Sequence, residues 1–247
     1  MQQNVSGFIT PIVTNNFNFP PPTEDEPSLL NFTEAQTLFH EFGHALHGLF
    51  SNVKYASQSG TNVPRDFVEF PSQVMENWMS EPEILKMYAR HYQTGEVIPD
   101  EMIARMNAAN QFNTGFATVE YMAAAYLDMA WNTLTEKREL ETNAFEVEAM
   151  ERIGLIEEII PRYRSTYFGH IWGGGYASGY YSYLWSEVLD ADAFAAFKEN
   201  GILDRATAER FRTMLSKGGS APSMDLYVGF RGQEPDPAYL LEKKGLN

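Results

Sequence analysis

The sequence predicts a mainly α-helical fold with one small β element near its start. Three observations carry this. Apolar residues recur at three- and four-residue spacing through most of the chain after position 32. Glycine, proline and polar clusters cut that pattern into helix-length pieces. Only residues 5–13, VSGFITPIV, read as a β-branched, strand-like run. No linker of domain-boundary length interrupts the 247 residues, so a single domain over 1–247 is expected.

The elements follow in order. After the strand, residues 19–27 (FPPPTEDEP) block helix and ladder alike and make a loop. Thr33 followed by Gln36 is a capping-box pattern opening a helix that carries Leu38, Phe39, Phe42, Ala45, Leu46, Leu49 and Phe50. Residues 52–64 are irregular or hairpin-like, with Ser59-Gly60-Thr61-Asn62 as the turn. Asp66 caps a predicted helix over 67–79, where Pro71 is tolerable because it falls near the first turn. Helical period continues over 87–92, 99–111, 115–134, 144–153, 177–198 and 205–216, with Gly201 and Gly218 as stops.

Composition excludes several function classes. Eighteen basic against thirty-three acidic side chains give a formal charge of −15, the wrong sign for gripping a phosphate backbone, so no nucleic-acid partner is expected. No apolar run is long enough to span a membrane. The absence of cysteine excludes disulfides, thiolate catalysis and cysteine-ligated zinc. The opening Met1-Gln2-Gln3-Asn4 lacks the basic and apolar regions of a secretory leader. Cytoplasm is the expected compartment, with periplasm the alternative. Because the chain begins inside a strand-like run, it reads as a piece of something longer.

Residues 40–44 are His-Glu-Phe-Gly-His. Four residues are about one helical turn, so His40 and His44 present two imidazoles to a single ion, with Glu41 beside them to take a proton from water. A hydrolytic zinc site uses three protein ligands and keeps one position open. The extended form of the motif would need Gly at 47 and His at 50. Here those positions are His47 and Phe50, so the third ligand lies elsewhere. Glu69, set between Val68 and Phe70, is the best candidate, because an unpaired charge among apolar neighbours is costly and a metal would neutralise it. Glu76 falls on the same helix face seven residues on. It either orients a ligand histidine from behind or is a solvated acid.

A second cluster spans 170–185, HIWGGGYASGYYSYLW. No Gly-Lys-Ser/Thr follows the three glycines, so this is not a phosphate loop. Tyr176, Tyr180 and Tyr183 fall at i, i+4 and i+7, which would line one helix face with phenols. Two readings stand: core packing, or donors aimed at a developing oxyanion.

The segments HEFGH at 40–44, DFVEFPSQ at 66–73 and HIWGGGY at 170–176, in this order and spacing, resemble the thimet oligopeptidase family of zinc metallopeptidases. The last phrase is most similar to the peptidyl-dipeptidase branch. The resemblance implies a zincin-like, mainly helical catalytic domain with zinc at the base of a channel that admits short peptides. It implies Zn2+ held by His40, His44 and Glu69, with Glu41 as general base. Tyr183 and Tyr176 would stabilise the tetrahedral intermediate and His170 would hold the substrate backbone. Family members are more than twice this length, so the chain resembles the C-terminal catalytic part, and the N-terminal half is an expected partner.

Overall fold

The computed structural model describes residues 9–137 and 139–246. Helix dominates, and no β-strand element is found among the described residues, apart from an isolated bridge between Arg90 and Val97. The strand expected over 5–13 is not seen where it can be judged. Residues 9–13 are irregular, and 5–8 lie outside the described residues.

Helix α1 (Phe32–Leu49) starts two residues earlier than the Thr33 cap predicts. The capping box is Asn31 with Glu34, not Thr33 with Gln36. Asn31 accepts from the Glu34 N–H at 2.9 Å, and Glu34 accepts from the Asn31 N–H at 2.8 Å. Asn is a strong N-cap, and a carboxylate in the first turn also suits the helix dipole.

Pro71 divides what reads as one helix. A short helix α2 (Arg65–Val68) ends, Glu69 forms the joint, and α3 (Phe70–Ser80) begins with Pro71 in its first turn. Continuing the helix through Pro71 would remove one backbone donor and drive the ring into the Phe67 carbonyl. The break therefore seats Glu69 at a junction, 4% exposed.

The next elements are α4 (Pro82–Tyr88), α5 (Asp100–Asn110), α6 (Thr114–Asn132) and α7 (Thr142–Arg152). The helix expected over 87–92 lies earlier, because Pro82 at its first position favours initiation there. Then come the single-turn α8 (Gly169–Trp172), α9 (Ser182–Asn200), α10 (Arg205–Ser216), α11 (Ser223–Arg231) and α12 (Ala238–Lys244). The stretch 52–64 folds as a 3-10 turn (Ala56–Gln58) followed by Gly60 at positive φ, rather than as a hairpin.

The core gathers around α3 and α9. Phe70, Val74, Leu189, Phe194, Phe197, Phe211, Leu215 and Tyr227 form its buried centre. Burial runs almost all round α9, including Asp190 and Asp192, and both carboxylates are paired. Lys243 of α12 reaches Asp190 at 2.8 Å and Arg231 of α11 reaches Asp192 at 3.0 Å, tying the C-terminal helices to the core. Smaller clusters join α6 to α7 and α6 to the 168–180 segment.

Gly43 sets how closely α1 approaches α3. A Cβ there would stand 2.4 Å from the Pro71 carbonyl oxygen and 2.5 Å from the Ser72 Cα. Only glycine allows this contact, and it brings the histidine-bearing face of α1 against the helix that follows Glu69.

Candidate metal centre

His40 and His44 lie one turn apart on α1, and Glu69 faces them from the α2–α3 joint. One donor atom from each lies within 4.8 Å of the other two. Glu69 Oε2 stands 3.3 Å from His40 Nε2 and 3.2 Å from His44 Nε2. The imidazole side chains keep 20% and 23% of their surface exposed, while Glu69 keeps 5%. The donor set is thus held from below and open on one side.

Other groups fix these donors. His40 Nδ1 donates to Glu76 Oε1 at 2.6 Å; a carboxylate can only accept, so this contact assigns the proton to Nδ1 and turns Nε2 toward the cluster. Gln36, one turn before His40, donates from Nε2 to the other Glu76 oxygen at 2.6 Å. Ser72 Oγ donates to the Glu69 backbone oxygen at 2.7 Å and lies 3.3 Å from Oε2. Tyr176 donates its hydroxyl to Glu69 Oε1.

The electrostatics favour a cation. Burial works against a charged His40, but hydrogen bonds and charge from Glu69 and Glu76 outweigh it and push its pKa up to about 10. Burial likewise opposes a charged Glu69, yet His40, His44 and Tyr176 hold its carboxyl well below the usual carboxylate range. A field that draws a proton onto His40 also draws a divalent cation. Two imidazole nitrogens and one carboxylate are a donor set that a borderline ion accepts. The residues present therefore fit a metal.

Glu41 follows His40 on α1 and is half-buried. The phenols arrive by a different route from the one their spacing suggests. Helix α9 begins only at Ser182, so Tyr176 and Tyr180 sit in a turn with Gly175 at φ +79° and Ser178 at φ +55°. Gly175 also lies against Arg65, whose Nη2 would stand 3.1 Å from a Cβ there. The Arg65 guanidinium covers the Tyr176 ring, 4.6 Å from its centroid.

Tyr176 and Tyr183 stack at 4.9 Å and face the Glu69 side. Tyr180 instead points inward, 3% exposed, against Phe168 and Tyr163. Its role is packing. His170 on α8 completes the wall, its ring 5.9 Å from Tyr183 and 6.1 Å from Tyr176. Burial and the Arg162 charge lower its pKa, which favours a neutral imidazole. Gln73 links the two halves of the site by donating to the Tyr183 carbonyl at 3.2 Å. A polar cavity of about 880 Å³ borders the cluster through Gln36, Gln73 and Glu76, but His40, His44 and Glu69 do not line it.

Sequence reasoning missed Gln36, Gly43, Arg65 and Gln73. Gln36 could have been found: it lies four residues before His40, on the same helix face. The partners of the other three are distant in sequence and carry no local signal.

This geometry is a metallopeptidase-like arrangement, and comparison with known proteins agrees. The profile of Peptidase family M3 matches residues 2–246, and the chain belongs to that family. It is 45% identical over 250 residues to dipeptidyl carboxypeptidase of Escherichia coli strain K12, covering 100% of this chain and 37% of that protein. It is 40% identical to oligopeptidase A of the same strain, covering 96% of this chain and 35% of the relative. Probable cytosolic oligopeptidase A of Arabidopsis thaliana is 39% identical, over 100% and 36%. The chain thus spans a little over a third of the length of these relatives.

Proposed function

We propose that the chain is the catalytic part of a zinc peptidase that releases dipeptides from the C-termini of short peptides. The convergence of His40, His44 and Glu69 carries this reading. Those three residues would hold the ion. A bound zinc would supply Lewis acidity, polarising a peptide carbonyl and making water more acidic.

The chain's own groups do the rest. Glu41 accepts the proton of the attacking water on its carboxylate and returns it to the departing amine. Tyr183 donates its hydroxyl to the developing oxyanion, and Tyr176 assists while holding Glu69. Burial and the nearby Glu69 charge raise the Tyr183 pKa, keeping the phenol protonated and able to donate. His170, on the same aromatic wall, holds the substrate backbone.

Residues 1–247 would form one catalytic unit, the C-terminal part of a two-part peptidase. Exposed apolar residues along α6 (Phe116, Val119, Tyr126 and Met129) and on α1 (Phe42 and Leu49) support this, because a further wall of protein would cover them. Cytoplasm is the proposed compartment. No described helix is long and apolar enough to cross a membrane.

Likeness to oligopeptidase A supports a second reading, cleavage within the peptide. Capping a test peptide's C-terminus as an amide separates the two: dipeptide release collapses, whereas internal cleavage survives. The decisive experiment is metal analysis with turnover of a fluorogenic peptide. One equivalent of zinc is expected, with turnover abolished by a chelator and restored by zinc. His40→Ala should lose both metal and activity. A chain that binds no zinc overturns the proposal.

A further inference from the structure

Between Tyr176 and Tyr183 the backbone makes a turn that its own residues do not favour. Ser178 adopts φ +55°, a left-handed conformation uncommon for a non-glycine residue. Two amides of this turn reach across to α6, and both end on one carboxylate. Asp128 Oδ1 accepts from the Ser178 N–H at 2.9 Å, and Oδ2 accepts from the Tyr180 N–H at 2.9 Å. Asn132, one turn along α6, donates Nδ2 to the same Oδ1 at 2.8 Å.

Asp128 is 0% exposed, and it forms no ion pair among the described residues. A buried carboxylate without a counter-charge is costly to keep. What offsets the cost is three N–H donors converging on it, and an acceptor-only group is the one chemistry that satisfies them all. The Gly179 N–H donates to the Tyr176 carbonyl at 2.8 Å, so the turn is one hydrogen-bonded unit whose position follows the carboxylate.

We infer that Asp128 is a positioning residue for the phenol wall: by clamping Ser178 and Tyr180 to α6, it sets where Tyr176 and Tyr183 stand relative to Glu69. This rests on the zinc peptidase reading above. Asp128 touches neither the metal ligands nor substrate, and it acts through the backbone that carries the phenols.

Asp128→Asn tests it on the full chain. Asn132 and Ser178 both donate to Oδ1, so the substituted amide must keep oxygen there and set its NH2 against the Tyr180 N–H. Two donors then face each other. Residue-resolved hydrogen exchange should show the Ser178 and Tyr180 amides losing at least about tenfold of their protection, with α1 and α3 amides unchanged.

Affinity for a phosphinic peptide, which mimics the tetrahedral intermediate, should fall about 10- to 100-fold, as for a catalytic group displaced by about 1 Å. Zinc affinity, measured against a chelator, should fall no further than in Tyr176→Phe, which loses the same contact to Glu69, and by clearly less than phosphinate affinity. In turnover, kcat should fall and KM hold.

Unchanged phosphinate affinity and exchange in D128N overturn the proposal. So does a loss of zinc affinity equal to the loss of phosphinate affinity, which would mark a merely structural role. If D128N fails to fold, Asn132→Ala takes its place. It frees one side of the carboxylate and should cost about threefold in phosphinate affinity. Parent-like affinity in N132A is then the overturning result. Should the parent chain bind no zinc, the peptidase reading fails, while the exchange measurement still decides whether Asp128 holds the turn.

Discussion

Glu76 Oε1 accepts from His40 Nδ1 at 2.6 Å, a contact that spans from α3 to α1 and leaves Nε2 of the imidazole facing Glu69. The second Glu76 oxygen is occupied by Gln36, so the carboxylate is held at both ends. Carboxylates behind a ligand histidine fix its tautomer and raise its basicity, and losing one typically costs about 10- to 100-fold in metal affinity. Glu76→Ala is expected to weaken zinc by that order while leaving the fold in place. Competition against a chromogenic chelator measures it. Parent-like zinc affinity would remove Glu76 from the site.

Gly43 should tolerate no side chain. In an isolated helix, alanine would gain about 1 kcal/mol over glycine. Against α3, however, the added Cβ meets backbone at 2.4 and 2.5 Å, where no flexible side chain can yield. Overpacking of this kind typically costs about 1–3 kcal/mol, so the clash outweighs the helix gain. Gly43→Ala should lower the denaturation midpoint and also weaken zinc, because separating α1 from α3 moves both histidines from Glu69. A variant with raised stability would show that the two helices can part freely.

Some of this site is written locally in the chain and some is not. His40 and His44 are legible because helical period alone puts them on one face. Glu69 stands out because a charge between Val68 and Phe70 needs a partner. The break at Pro71 is harder to read. A proline in a first turn and a proline that starts a new helix look alike until tertiary packing decides where the turn begins. The phenols came together for a reason other than their spacing, since the turn at Gly175 and Ser178 brings Tyr176 onto Tyr183 and sends Tyr180 into the core. Asp128 is silent in sequence. It looks like any acid on a helix, and its two backbone partners lie 50 and 52 residues away. The four-residue α8 is too brief to establish a period, and α11 and α12 carry no expectation in the sequence either.

His47 makes acid stability a separate test. Its ring is 1% exposed, and burial followed by the His44 charge lowers its pKa from 6.5 to about 4. The unfolded chain therefore binds a proton that the folded chain refuses between those two values. Stability falls as pH drops through about 6.5 and levels off below about 4, a loss on the order of 3 kcal/mol across the whole window. His47→Leu removes the titration, so its urea midpoint should change less than the parent's between pH 7 and pH 4.5. Parallel curves for the two proteins would assign the acid sensitivity to other groups.

Tyr183 and Tyr176 stack on each other yet should fail differently when their hydroxyls are removed. Tyr176 donates to Glu69 Oε1, so Tyr176→Phe removes a partner of a buried carboxylate as well as a phenol proposed to assist the reaction. Burial and the Glu69 charge keep Tyr183 protonated, and its hydroxyl meets that of Tyr176 without reaching the carboxylate as a donor. Tyr183→Phe is therefore expected to keep zinc at the parent's affinity and lose about 100- to 1000-fold in kcat, the usual cost of one oxyanion donor. Tyr176→Phe should lose activity and weaken zinc together. Measuring kcat and chelator competition on both variants checks the division. Equal zinc affinity in the two would mean that the Glu69 contact contributes nothing to holding the ion, and that both phenols serve the reaction alone.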